Sequence, residues 1–298
     1  ANVAILPLLR NEVQIQRIFI PELKLDQVRP VIEGMDIKAQ FINNNLVIQK
    51  ATGFIAGGKF TATGIVRDLI SAQNMELDIK TDNVNVMDFA PEVPKGSPVF
   101  RGGLDLDMRC SSSGFTQEAI LKTFKGKGNA KLEKAVLENM NVLNAALDQL
   151  SMLPGLVDKL KKSLPEKYAG LLSQNFTAFK PMNAGFEIKD GRILFDKLLV
   201  ESDAFYLAAR GSVGMDQSLE VNANLFIPKD LSGAFTDSVP EFKCLMDDKG
   251  VITIPLEVKG KIPNITVMPN LNYVIQKLAI SKGQELLNKL FKSTRQEK

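Results

Sequence analysis

Leu46 to Val66 reads LVIQKATGFIAGGKFTATGIV, and Ile193 to Val213 reads ILFDKLLVESDAFYLAARGSV. At an offset of 147 positions, Leu46 matches Ile193, Ile48 matches Phe195 and Phe60 matches Leu207. Ala62 likewise matches Ala209, Gly64 matches Gly211 and Val66 matches Val213. Each copy places an apolar side chain at every second position, the period of a strand with one face in the core. Two copies so far apart predict a sheet lengthened by repetition, with one greasy face running along it.

The same period extends outward from both copies. Val3 and Ile5 lead to a Leu6-Pro7-Leu8-Leu9 corner, and Val13, Ile15, Leu23 and Leu25 follow. Ile37, Ala39 and Phe41 precede a turn at Asn43-Asn44-Asn45, and Gly57-Gly58 permits a bulge or tight turn. Met75, Leu77 and Ile79 form another strand face, as do Leu104, Leu106 and Met108 continuing to Cys110. Beyond the hairpin turn Lys189-Asp190-Gly191 come Leu219 to Ile227 and then Ile252, Ile254, Leu256 and Val258.

The period changes to about 3.6 between Asn141 and Ser173. There Val142, Ala145, Ala146, Gln149 and Leu150 share a helical face, and short helices are expected around Leu156–Leu160 and Glu166–Leu172. The fold class is therefore mostly β with inserted helices (α+β). It is an elongated, twisted antiparallel sheet curled into an open groove of repeated β units, which amphipathic helices cover or cap. The Pro/Gly-rich passage from Pro91 to Pro98 divides it into 1–92, an N-terminal β-groove segment, and 93–298, a C-terminal one within one continuous sheet. The second segment carries the helical insert 141–173 and a terminal amphipathic helix over 270–292.

Composition excludes several chemistries. The 298 residues include no histidine and no tryptophan, so Ser-His-Asp, Cys-His and His-zinc sites are ruled out. Cys110 and Cys244 are too few for a cysteine-rich metal site; they read either as one disulfide or as two small buried hydrophobes. A net charge of +3 is too mild to indicate nucleic acid. No stretch reaches the roughly 18 unbroken apolar residues of a membrane span. The opening Ala1-Asn2-Val3 reads as a processed chain or an excised piece.

The charged and glycine-rich motifs have plain readings. Gly57-Gly58-Lys59-Phe60 lacks the spacer and Ser/Thr of a phosphate loop, and Lys125-Gly126-Lys127-Gly128 leads into a strand, so bulges are expected. Lys122, Lys125, Lys127, Lys131 and Lys134 have only Phe124 as an aromatic neighbour, which suits a lysine-guarded sheet edge better than a nucleic-acid platform. Asp105 and Asp107 alternate with Leu104 and Leu106 and read as a solvated face; Asp247-Asp248 reads as a turn. No catalytic constellation, cofactor or metal site is expected, and the chain reads as a non-enzyme. In the terminal helix Leu271, Val274, Ile275, Leu278, Leu286, Leu287, Leu290 and Phe291 share a stripe. From Leu271 onward six basic residues, Lys277, Lys282, Lys289 and Lys292 among them, face two acidic ones, an excess of four. This helix either packs on the sheet or lies on a membrane surface, its lysines meeting anionic headgroups.

Three segments together resemble the AsmA family of bacterial envelope proteins. They are Asn2 to Val13, with its strand and Pro-Leu-Leu corner; Gly128 to Leu143 (GNAKLEKAVLENMNVL); and Phe186 to Ile193, continuing through Val200 to Ser202 and Arg210 to Val213. The last runs on through Ile254 to Gly260 and Pro263 to Ile265 into the terminal helix. The resemblance implies repeated β-grooves and a periplasmic location, with the full-length protein anchored in the bacterial inner membrane. It also implies a part in outer-membrane integrity through phospholipid transfer, without a catalytic motif.

The expected ligand is a phospholipid or another acyl lipid. The groove wall is predicted at Phe60, Ala62, Leu104, Leu106, Met108, Leu207, Ala209, Val221, Leu225, Ile254, Leu256 and Val258, with Ala223 among them. Possible partners are a membrane surface, met through the terminal helix, and other envelope proteins, but not nucleic acid. The alternative is an ordinary closed β core in an assembly or scaffolding factor for outer-membrane proteins, acting through exposed strand edges.

Overall fold

Alternating apolar residues separated by tight turns build a meander in which each strand pairs with its sequence neighbours. The computed structural model describes residues 13–25, 28–90, 92–150, 160, 162–262 and 264–281. Expectations for Val3 to Leu9, Pro154-Gly155, most of Leu156–Leu160 and everything beyond residue 281 lie outside them. Of the described residues 57% lie in strands.

The first seven strands are β1 (Val13–Leu25), β2 (Val28–Ile42), β3 (Asn45–Ile55), β4 (Gly58–Arg67), β5 (Asn74–Asn85), β6 (Val99–Ser113) and β7 (Lys125–Glu138). After the two-residue β8 (Thr177–Ala178) come β9 (Met182–Lys189), β10 (Arg192–Glu201), β11 (Tyr206–Gly214), β12 (Ser218–Ile227), β13 (Ile252–Lys261) and β14 (Asn264–Pro269). Apart from β8, which pairs with β7, they lie in sequence order in one 14-stranded antiparallel sheet. The sheet is open and uncurled, with β1 and β14 as its outer strands, where the sequence suggested a curled groove. The β5–β6 ladder joins the two sides of residue 92, from Asn74 opposite Ser113 to Asn85 opposite Gly103, with one register shift between Thr81 and Val84.

The two quoted stretches form the hairpins β3–β4 and β10–β11, and their registers coincide at the 147-residue offset. Leu46 faces Val66 and Ile48 faces Gly64, as Ile193 faces Val213 and Phe195 faces Gly211. A shift follows in each, between Ile48 and Ala51 and between Phe195 and Leu198. Pairing resumes with Ala51 opposite Ala62 and Leu198 opposite Ala209. The preceding turns match as well. Asn43 and Asn44 have φ of 46° and 63°, Asp190 and Gly191 52° and 70°, the two positive angles of a type I′ turn.

Helices punctuate the meander. They are α1 (Gln117–Thr123), α2 (Val142–Gln149), α3 (Glu166–Ser173), α4 (Lys229–Ser238) and α5, which begins at 271 and is described to 281. All but α1 lie along one rim of the sheet and supply the buried cluster, in which Leu143, Leu147, Leu160, Leu231, Phe235 and Val274 pack on residues of β10 to β14. Ser232 ties α4 to the sheet: its hydroxyl donates to the Ile227 carbonyl (2.7 Å) and accepts from Ile252 N–H (3.0 Å).

Asn141 shows how the helical insert is held. Its Oδ1 accepts from Asn144 N–H (2.9 Å) as an N-cap, and its Nδ2 donates to the carbonyls of Leu171 (2.7 Å) and Gln174 (3.1 Å). Asn141→Ala removes the cap and unpairs those carbonyls. The expected loss is about 2 kcal/mol, measured by urea denaturation, with the far-UV spectrum of the sheet retained.

Candidate functional site

Directly opposed residues of neighbouring strands point to the same side of a sheet. Ile37, Ala51, Ala62, Ile79, Met108, Gly128 and Phe186 form one continuous cross-strand row from β2 to β9. Gly53, Phe60, Thr81, Leu106 and Ala130 form the next, and Val84, Leu104 and Leu132 a third. Cys110, Gly126, Ile188, Ile193, Val213 and Leu219 carry the same side on into β12. There Leu207 faces Leu225 and Leu225 faces Ile254, while Ala209, Ala223 and Leu256 align, as do Val221 and Val258. All twelve predicted wall residues therefore share one face.

That face has two environments. Beneath the helices, over most of β10 to β14, it is closed: Leu225 and Ile254 are 0% exposed, Leu256 is 3% and Ala209 is 9%, with Leu207, Val221 and Val258 packed against the same cluster, while Ile193 at the far rim is exposed. The expectation that these seven line an open groove is corrected, because the helices seal them into a core. Over β2 to β6 the buried helix-covered cluster contributes no residue. Phe60, Ala62, Leu104, Leu106 and Met108 are half-buried there, as are Leu77 and Ile79, whose spacing marks a strand face but which are not among the predicted wall residues. Their alternating neighbours Lys59, Thr61, Thr63, Glu76, Asp78, Lys80, Asp107 and Arg109 are exposed on the opposite, polar face.

Small residues pave the uncovered face. A Cβ at Gly128 would lie 2.3 Å from the Asp107 carbonyl oxygen, and one at Gly64 would lie 2.1 Å from that of Glu76. Gly126 and Gly128 thus permit close backbone approach in the part of the β6–β7 ladder, Gly103 to Ser111 opposite Glu133 to Lys125, that pairs without a shift, where the sequence suggested a bulge. Gly128→Ala is expected to cost about 2 kcal/mol, because backbone rather than a flexible side chain must give way. The check is a lowered urea midpoint.

The lysine run also sits differently from expectation. β7 lies between β6 and β9, so Lys125, Lys127 and Lys131 stand on the polar face of an interior strand, not at a sheet edge. Ion pairs cross that face. Arg109 binds Asp78 through two hydrogen bonds (2.7 and 3.1 Å), Lys80 meets Asp107 at 2.8 Å, and Arg67 pairs with Glu76. The Arg109 guanidinium holds the Asp78 carboxyl below the usual carboxylate range.

Two open cavities indent the polar face. One of about 430 Å³ is bordered by Leu199, Ala208, Arg210, Asn222, Asn224 and Pro255. The other, about 690 Å³, is bordered by Glu76, Arg109, Lys125, Lys127, Glu187 and Lys189.

Cys110 and Cys244 are both free thiols, and burial pushes each above the ordinary thiol range. Among the described residues no three Cys, Asp or Glu side chains converge as a metal would require. In α5, Leu271, Val274 and Leu278 pack on the core while Ile275 and Lys277 point outward, Lys277 lying 5.7 Å from the Tyr273 ring centre. Lys282, Lys289 and Lys292 lie outside the described residues. No described helix is long and apolar enough to cross a membrane.

No protein-family model, characterised protein or solved structure matches the chain.

Proposed function

We propose that this chain carries phospholipid or another acyl lipid on the uncovered apolar face of β2 to β7. It would serve phospholipid transfer between membranes of a bacterial envelope, in the periplasm, as the AsmA resemblance implies. One observation carries the reading: five predicted wall residues stay half-buried with Leu77 and Ile79, beside the buried Ala51, Val84 and Cys110, on a face to which the helix-covered cluster contributes no residue. An acyl chain lying there gains about 0.8 kcal/mol per buried CH₂, while its headgroup stays in water and keeps its hydration.

The finer architecture belongs to the same proposal. The face is the floor of a groove made of repeated β units, the first including β3–β4 and the second β10–β11. Support comes from the shared register of the two hairpins and from Gly64 and Gly128, whose missing side chains allow a sheet to bend locally. The second unit keeps the pattern but uses its face to seat helices, so lipid is held by the first. Equivalent apolar positions on successive strands let a chain slide without crossing a high barrier.

The assembly-factor reading has one observation of its own: among the described residues the thirteen-residue β1 pairs only with β2, leaving an edge that an added strand would extend. The test is to extract the protein purified from bacterial membranes and weigh what co-purifies by mass spectrometry. Stoichiometric phospholipid supports the carrier. Lipid-free protein that captures extended peptides along β1 supports the edge reading instead.

A further inference from the structure

In a meander, alternate turns lie along the same rim of the sheet, and the rim opposite the helices is laced together. Leu69 N–H donates to the Asn44 carbonyl (3.0 Å), Asn44 Nδ2 to Asp68 Oδ1 (2.9 Å) and Gly114 N–H to the Gln73 carbonyl (3.2 Å). Phe115 N–H reaches Gln73 Oε1 at 3.1 Å, and Thr123 Oγ1 accepts from Ser113 N–H at 2.9 Å, fastening α1 to the end of β6. From this braced rim three large apolar side chains project into solvent: Ile70 (54% exposed), Phe115 (50%) and Leu121 (46%). They belong to turns and to α1, so neither sheet face accounts for them.

Beside them lies the 690 Å³ cavity of the polar face, bordered by Lys125 at the first position of β7 and Lys189 at the last position of β9. Its charges are unequally matched. Arg109 is taken by Asp78 and Glu76 by Arg67. Lys125, Lys127 and Lys189 have no carboxylate within 4.0 Å among the described residues, and Glu187, cross-strand from Lys127, has no cation at that distance. Three unpaired lysines against one unpaired glutamate leave an excess of two positive charges. On α1, Glu118 and Lys122 offset each other.

We infer that this rim docks on a membrane surface carrying anionic phosphate headgroups. Ile70, Phe115 and Leu121 enter the interfacial layer, and the lysine-lined cavity receives a headgroup phosphate. Apolar side chains on a hydrogen-bonded rim insert without first paying to order a loop, and cations just behind them meet the charge at headgroup depth. The inference does not rest on acyl chains occupying the apolar face, since the rim and its cavity are separate from that face.

The test is co-sedimentation of the full chain with phosphatidylcholine vesicles, with and without phosphatidylglycerol. Binding is expected to require the anionic lipid and to weaken with salt. Joint substitution of Lys125→Gln, Lys127→Gln and Lys189→Gln should lower partitioning on the order of a hundredfold, at about one power of ten or less per lysine. Joint substitution of Ile70→Ser, Phe115→Ser and Leu121→Ser should also abolish sedimentation, and all six positions are exposed enough to leave the circular dichroism spectrum unchanged. Lipid co-purifying with the protein should remain in both triple variants, which separates failure of the rim from failure of the acyl-carrying face. Equal binding to both vesicle types, or binding unaltered in either variant, overturns the inference. So does displacement from vesicles by free glycerol phosphate at stoichiometric levels, which would make the cavity a soluble-anion site.

Discussion

Leu225→Ala is expected to cost about 3 to 5 kcal/mol, read as a lowered urea midpoint. Leu225 is fully buried, faces Leu207 and Ile254 across the sheet, and belongs to the cluster under α2, α4 and α5. Truncating it removes the transfer energy of its methyls and leaves a void that strands packed beneath helices cannot collapse. Ile79→Ala on the uncovered face should cost only about 1 kcal/mol, since Ile79 is half-buried with Ala62 and Met108 as its cross-strand neighbours. Similar losses at both positions would mean that the apolar face is covered equally along its length, and the two-environment description would fail.

The second large effect concerns binding. Ile79→Asp together with Met108→Asp should remove co-purifying lipid by more than a hundredfold while the fold persists. The two positions are directly opposed on neighbouring strands in the middle of the uncovered face. An acyl chain laid across them would have to desolvate two carboxylates, at several kcal/mol in total, or lift away and forfeit about 0.8 kcal/mol for each CH₂ released. The same exchange at Leu225 and Leu256 would carry no information about lipid, because a carboxylate buried beneath helices unfolds the domain first. Thermal denaturation should therefore separate the two double variants. The open-face pair melts near the parent, and the covered pair is destabilised or insoluble.

Much of this architecture was legible in residue order. A period of two along Met75, Leu77 and Ile79, and along Leu219 to Ile227, identifies strands and says which residues share a side. The break to a 3.6-residue period at Asn141 locates the helical insert. Periodicity does not say what lies over an apolar face, and this is why Leu207 and Leu256 looked equivalent to Phe60 and Leu106. The difference is made by Leu143, Phe235 and Val274, which reach the sheet from elements far along the chain. Lysine spacing alone likewise could not place β7 inside the sheet, since edge position is decided by the partner β9 across the helical insert. Ile70, Phe115 and Leu121 went unmarked because single apolar residues in turns have no period; only exposure on a braced rim singles them out.

The most direct measurement is to load the protein with a phospholipid bearing a photoreactive group near the end of one acyl chain, irradiate it, and map the adducts by peptide mass spectrometry. The account predicts adducts on the uncovered face, at Leu77, Ile79, Leu106 and Met108, with the covered core and the polar strand positions unlabelled. Adducts confined to the polar face, or to the helix-covered core around Leu225 and Ile254, would contradict it.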